Sequence, residues 1–258
     1  MKNGTAPTKA GAGRRTSPVT VQPRDRGSVR LAHQHIVGRI SAGDFSAGSA
    51  LSELSLAAQL GISRTPIREA IGQLVAEGIL QKSSRGAVVA EPTRQDIIEL
   101  YEMREAFEVF NIGKVAGRGL STRELETIGA EVEQVKTAAA QLKASGGNRL
   151  TGEALRSFLA CDLRFHARLL QAGGNVRMLR QLDATNLLLR VFTLRREHHT
   201  VPLLEEVYSY HLGIVNAVAA GKPEDAKRLL ADHIHLSRNE RLAEYEEHHL
   251  HQSLGIAH

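Results

Sequence analysis

The chain has one cysteine, Cys161, and no tryptophan, and aromatic residues make up 4% of its 258 positions. A single thiol excludes an internal disulfide and suits a reducing compartment, so a cytoplasmic protein is expected. With so few rings, recognition of nucleic acid by stacking bases on aromatic side chains is not the expected theme. Long hydrophobic runs are also missing: no stretch approaches the roughly 18 apolar residues of a membrane span. The N-terminus carries no hydrophobic core of the signal-peptide kind, so no membrane partner is expected. What remains is 42% apolar content, normal for a globular chain of one large or two smaller domains.

Acidic charge is scarce only at the start. Residues 1–30 hold seven basic side chains against Asp25, an excess larger than the net +5 of the whole chain. The high isoelectric point therefore belongs to this segment, and residues 31–92 are balanced at five basic and five acidic groups. Rich in Gly, Pro, Ser and Thr, residues 1–28 are expected to form a disordered basic tail. Its charge can add non-specific attraction to phosphates or serve only solubility.

From residue 29 apolar positions recur with helical spacing. Val29, Ala32, Ile36, Val37 and Ile40 predict a helix over 29–42. Ser52 can cap a short helix carrying Leu54, Leu56, Ala57 and Leu60, closed by Gly61. A third helix is expected to open at Thr65, with Pro66 in its first position. A capping box would need Glu or Gln at 68, where Arg68 stands. Ile67, Ile71, Leu74 and Val75 form the buried stripe, leaving Arg64, Thr65, Arg68, Glu69 and Gln73 outside. "QKSSRGAVVA" then reads as a hairpin turning at Ser84, Arg85 and Gly86. Helix, helix, tight turn, helix and basic hairpin make a winged helix-turn-helix over 29–92. Arg64 and Arg68 lie one turn apart on one face, and an arginine fork can bond guanine twice. Ser63 and Thr65 can donate to phosphates.

"LSELSLAAQLGISRTPIREAIGQLVAEGIL" followed by "RGAVVA" resembles the DNA-binding domain of the GntR family of bacterial transcription regulators. The resemblance implies that Arg64, Thr65, Arg68, Arg85 and Gly86 contact operator DNA. Two positions depart from the family pattern: Ala47 precedes Gly48 where proline is usual, and Leu54 stands where some members carry a DNA-contacting arginine.

Beyond Thr93 every strong pattern is helical, with candidate helices over 94–117, 122–142, 153–172, 176–197, 203–220 and 223–246. Thr93 with Asp96, and Ser121 with Glu124, have capping-box spacing. The fold class is thus mainly α: an N-terminal winged helix-turn-helix plus an all-α helical bundle over 93–246, with a C-terminal tail over 247–258. Within the bundle, polar residues interrupt apolar stripes. Asp162 and His166 lie one turn apart on the inward face of one helix, His211 on another and His233 on the last. An Asp–His pair with two unrelated core histidines would account for this, and so would a divalent metal, Zn²⁺ or Ni²⁺, on one carboxylate and three imidazoles. Cys161 reads as a small core residue, and His248, His249 and His251 as a frayed helix end.

"DLRFHARLLQAGGN" and "HLGIVNAVAAGKPEDAKRLLADHI" resemble the FCD ligand-binding domain of the FadR-like branch of the same family. That resemblance implies a metal held by Asp162, His166, His211 and His233. The position before His211, often Glu in the family, is Tyr210 here. A positive site of this kind suits a small carboxylate effector, with Arg104 on the inward stripe as its partner and Asn186 and Arg190 as further candidates. The expectation is a homodimeric regulator, a repressor, binding a palindromic operator under control of a carboxylate. The alternative is a metal-dependent enzyme acting on a small organic acid and bearing a DNA-binding head.

Overall fold

A computed structural model describes Met1 and residues 23–41, 44–84, 86–181 and 199–253. The first helix, α1 (Pro23–Ser41), turns Val29, Ala32, Ile36 and Ile40 into the core at three- and four-residue intervals. It begins six residues before the apolar pattern does, so residues 23–28 are helical rather than part of a tail. Pro23 opens it, and its fixed φ is suited to a first helical turn. Periodicity registers only the turns that bury something, which is why the earlier start left no signal.

Ser52 caps α2 (Glu53–Leu60), its side chain accepting from the Ser55 N–H at 3.2 Å. Gly61 ends that helix at φ +64, a left-handed conformation that glycine adopts without steric cost. The next helix, α3 (Arg64–Ala76), starts one residue before the expected Thr65. Its N-cap is Ser63, whose side chain makes no capping bond, and Pro66 is therefore the third helical residue. Pro66, Ile67, Ala70 and Leu74 are buried, with Ile71 and Val75 packed against that core.

The wing is β2 (Leu80–Ser83) against β3 (Gly86–Val89), in register from Leu80↔Val89 to Ser83↔Gly86. Gly86 thus opens a strand instead of sitting in the turn. A third strand that the sequence did not reveal, β1 (Ala50–Leu51), pairs with Val88 and Ala87 on the other side of β3. The antiparallel sheet has order β1-β3-β2.

The helical domain comprises α4 (Arg94–Arg118), α5 (Thr122–Ala144), α6 (Gly152–Ala172), helical residues 176–181, α7 (Val201–Ala219) and α8 (Pro223–Ser253). Both expected capping boxes form: Thr93 with Asp96 opens α4, and Ser121 with Glu124 opens α5. Helix α8 continues through residues 247–253, expected as tail, because the apolar stripe stops there while no glycine or proline interrupts the chain. Helix α4 packs on α8, and α5 on α6 and α7. Tyr101, Ile112, Ile128, Phe165, Ile214 and Leu230 meet in one core.

Where α6 ends, Gly173 lies against Asn111 of α4, whose Nδ2 donates to the Leu169 carbonyl at 2.8 Å. A Cβ on Gly173 would stand 1.7 Å from Asn111 Oδ1. Asn111 is buried and bonded, so it has little room to yield. Gly173→Ala is expected to destabilise the domain by about 1–3 kcal/mol, the range for overpacking a core. Chemical denaturation of the two proteins measures it.

Candidate functional site

Two constellations carry chemistry. The first is the exposed face of α3. Arg64 and Arg68 project from it, both exposed, and both reach back to one carboxylate oxygen on α2: Arg64 Nη2 lies 2.9 Å and Arg68 Nε 2.8 Å from Glu53 Oε2. Those two guanidinium groups hold the Glu53 carboxyl below its usual range. Thr65 and Glu69 are exposed on the same helix, and Ser63 precedes it. Leu54 is 69% exposed, so it does not belong to the buried stripe of α2 and presents an apolar side chain beside Glu53. Ser84 forms the wing's turn, and Arg85 lies outside the described residues.

The second constellation is buried. Asp162 and His166 come from α6, His211 from α7 and His233 from α8. One ligand atom from each lies within 4.8 Å of the others. His233 Nε2 stands 3.2 Å from Nε2 of both His166 and His211, and Asp162 Oδ1 lies 3.5 Å from His211 Nε2 and 3.9 Å from His166 Nε2. Bonds of 2.0–2.1 Å to a tetrahedral ion would separate neighbouring ligand atoms by about 3.3 Å. The four residues singled out in the sequence are therefore brought together at metal-ligand spacing. All three imidazoles are wholly buried, and Asp162 is the edge nearest solvent.

Protonation favours the same reading. Burial, then the neighbouring imidazoles and the Arg104 guanidinium, hold His211 and His233 well below the ordinary histidine range, so both are neutral. Phe165 stacks on the His211 ring at 3.8 Å between centroids and fixes its plane. His166 Nδ1 sits 2.5 Å from Glu108 Oε2, a buried carboxylate on α4. A His166 that donates Nδ1–H to Glu108 presents Nε2 to His233 Nε2, 3.2 Å away. A cation at this point would take up the Nε2 lone pairs of the three rings and an oxygen of Asp162 together. The donor set fits a divalent metal ion with nitrogen and oxygen ligands.

Glu108 was not apparent in the sequence, yet it lies one helical turn beyond Arg104 on the same stripe. Arg104 Nε donates to Glu108 Oε1 at 2.8 Å, and the two side chains are almost fully buried. Burial opposes the Glu108 charge, but Arg104 and His166 outweigh it and keep the carboxyl well below its usual range. Arg104 Nη2 and the Tyr101 hydroxyl are buried with no hydrogen-bond partner among the described residues.

A small, partly open pocket is lined by Asp162 together with Phe158, Leu203, Val207, Glu240, Arg241 and Glu244 among others. Arg104 does not line it; the cation that does is Arg241 of α8, a buried side chain bonded to Glu244. The signal for Arg241 lay seven residues past Ile234 on the inward face of that helix. Asn186 and Arg190 lie outside the described residues. Cys161 is buried, donates to the Glu131 carbonyl at 3.1 Å and is not a member of the cluster; burial pushes its thiol up to about 12.

Two outcomes follow for the centre. Glu108→Gln keeps the shape but removes the charge opposite His166 Nδ1, and ion affinity should fall about 10- to 100-fold. The second concerns pH. The depressed pKa values keep His211 and His233 neutral below 6.5, where free imidazoles take up protons, so the unfolded chain binds more protons there. Stability of the ion-free domain should therefore fall as pH drops through 6.5. Ion affinity should hold at 6.5 and weaken only at lower pH, as competition against a chromophoric chelator between pH 8 and 5 would register. An affinity that already drops tenfold between pH 7.5 and 6.5 would contradict neutral, buried ligands.

Similar proteins share both halves. Residues 30–89 match the model of the bacterial regulatory proteins of the gntR family, and residues 99–236 match the FCD domain. The "Probable D-xylose utilization operon transcriptional repressor" of Paenarthrobacter nicotinovorans is 31% identical over 200 residues, covering 77% of this chain and 82% of that protein. The gluconate operon transcriptional repressor of Bacillus subtilis (strain 168) is 39% identical over 82 residues, 32% of this chain and 33% of its own length. Among solved structures, E. coli McbR/YncC superposes with a TM-score of 0.68 at 18% identity, covering 84% of this chain and 98% of that one. A GntR regulator from Rhodococcus sp. RHA1 gives 0.66 at 23% identity, with the same coverage. At those identities the two structures establish the fold. Among the described residues no helix is long and apolar enough to cross a membrane. The winged helix, the helical domain and the relatives agree: this chain belongs to the GntR family of DNA-binding transcriptional regulators, in the group with a C-terminal FCD domain.

Proposed function

We propose that the protein is an operon repressor whose grip on its operator is set by a small carboxylate bound at the Asp162–His166–His211–His233 centre. The single observation that carries this is the convergence of four ligand atoms, three of them on wholly buried histidines, with the fourth residue, Asp162, lining a pocket that the buried Arg241 also lines. Held by those four residues, a metal ion would supply a positive Lewis-acid anchor, and Zn²⁺ and Ni²⁺ suit the nitrogen-rich set. Arg241 offers a second cationic partner. Arg104, whose Nη2 has no protein acceptor among the described residues, is a third; Asn186 and Arg190 are further candidates from the sequence. The relative named for a D-xylose utilization operon, matched over 77% of this chain, favours a sugar-derived acid over a fatty acid. The family is one of transcription regulators and not of enzymes, so the metalloenzyme alternative falls.

On the DNA side, Arg64 and Arg68 read base edges while Ser63, Thr65, Arg85 and Gly86 position the head on the backbone. A homodimer would place two α3 helices on the half-sites of a palindrome about one helical turn apart. The effector can release DNA only by binding the DNA-incompetent arrangement more tightly.

Genomic fragments retained by the purified, metal-loaded protein, then footprinted, should reveal a short palindrome upstream of genes for sugar or sugar-acid use. Millimolar gluconate or xylonate should weaken binding to that fragment, and should not do so for Asp162→Ala. Arg68→Ala should cost about 1–3 kcal/mol of operator affinity, the value of a good two-bond base contact. A palindrome whose occupancy is indifferent to every acid tried, with and without metal, would defeat the effector reading while leaving DNA binding intact.

A further inference from the structure

We propose that Glu53 is a positioning residue of the DNA-reading surface, a carboxylate that braces Arg68 and Arg64 from behind and discounts phosphate binding relative to base reading. The proposal rests on those two arginines reading the operator, as argued above.

An acid on a face that must approach a polyanion needs an explanation. Glu53 is the first residue of α2, directly after the Ser52 cap. Its Oε2 accepts from Arg68 Nε at 2.8 Å and from Arg64 Nη2 at 2.9 Å. Side-chain exposure is 30% for Glu53 against 53% and 61% for the arginines, which places the carboxylate behind the guanidinium groups it holds. The atom used matters. Arg68 is held through Nε, which leaves both of its terminal nitrogens for the O6 and N7 of a guanine approached end-on. Arg64 is held through Nη2, which leaves Nε and Nη1 as donors.

Two consequences oppose each other in sign. A long arginine side chain loses rotamer freedom when it binds a base, and a brace that fixes it beforehand reduces that loss. For phosphate, which any cation satisfies in many geometries, Glu53 competes for the guanidinium and adds a like charge near the backbone. Glu53 therefore raises the ratio of specific to non-specific binding while lowering the non-specific affinity itself.

The test compares the full-length wild type, Glu53→Gln and Glu53→Asp on two probes: a fixed duplex of arbitrary sequence, and a random-sequence duplex library carried through selection. Glu53→Gln is expected to bind the arbitrary duplex about 3- to 10-fold more tightly at low salt. Its preference for guanine at the base read by Arg68 should fall about tenfold. Glu53→Asp keeps the charge but is too short to reach both arginines, so it should lose base preference with little gain in non-specific affinity. Glu69→Gln controls for charge alone, since Glu69 is exposed on α3 and is not the carboxylate that bonds Arg64 and Arg68. It should raise non-specific binding without touching base preference.

Unchanged base preference in both Glu53 variants overturns the proposal, as does an equal loss in Glu69→Gln. Arg68→Ala separates the layers. If it leaves selection unchanged, the assignment of Arg68 to base reading fails. If it abolishes a guanine preference that Glu53→Gln retains, only the brace fails. Thermal melts monitored by circular dichroism confirm that each variant is folded, and Glu53→Asp carries the test if Glu53→Gln is not.

Discussion

The helical domain is organised around charges that must not be left alone in an apolar core. Three imidazoles and a carboxylate from three helices meet at one point. A fourth helix supplies the Glu108 carboxylate that turns His166, and the Arg104 guanidinium that keeps Glu108 ionised. Removing one member of a buried ion pair leaves an uncompensated charge and costs several kcal/mol, so these groups stand or fall together. Phe165 packs on the His166 and His211 rings and all three imidazoles are fully buried, which deepens the cost of any missing partner. Helices α4, α6, α7 and α8 are thereby tied to a single centre by polar bonds with narrow geometric tolerance.

This arrangement also bears on how a ligand could be felt at DNA. Strand β3 of the wing ends at Val89 and α4 begins at Arg94, with the Thr93–Asp96 capping box fixing the start of the helix. Glu108 lies on that same helix, bonded to a residue of the buried centre. A change in how His166 is held is a change at α4, the element joined to the wing by a short link over residues 90–93. On the proposed function, a carboxylate would act by favouring one of two arrangements of α4, and its leverage would equal its difference in affinity for them. The outer face of α3 carries the same pattern: Glu53 holds Arg64 and Arg68 there as Glu108 holds Arg104 and His166 in the core.

Local rules make much of this legible in the amino-acid sequence. Both capping boxes, the Ser52 and Gly61 boundaries of α2 and the wing hairpin each depend on residues within a few positions, and they form as the sequence indicates, except that Gly86 opens the second strand of the wing instead of sitting in its turn. The four candidate ligands stand out as ionisable residues on apolar stripes, a pattern that an Asp–His pair with two unrelated core histidines would also produce. What escapes a reading of the sequence depends on distant partners. Strand β1 is two residues long and exists only because Val88 and Ala87 are there to pair with it. Glu108 acquires its role from His166, 58 positions away. The stripe shows that Arg104 points inward, but not that Glu108 takes its Nε or that Arg241 lines the pocket. Helix limits are misjudged at both ends of the chain: residues 26–28 and 247–250 are helical with none of their side chains fully buried, so they add nothing to an apolar stripe.

The most direct test of the central claim is the metal content of the protein purified without added metal, joined to X-ray absorption at that metal's edge. The account predicts about one first-row divalent ion per chain, surrounded by nitrogen and oxygen alone, and its loss in the Asp162→Ala, His166→Ala double variant. Sulfur in the coordination shell would implicate Cys161, which the fold holds outside the cluster. A chain with no ion, and no uptake from a buffered zinc or nickel solution at neutral pH, would contradict the claim and leave the buried histidines as a hydrogen-bonded core.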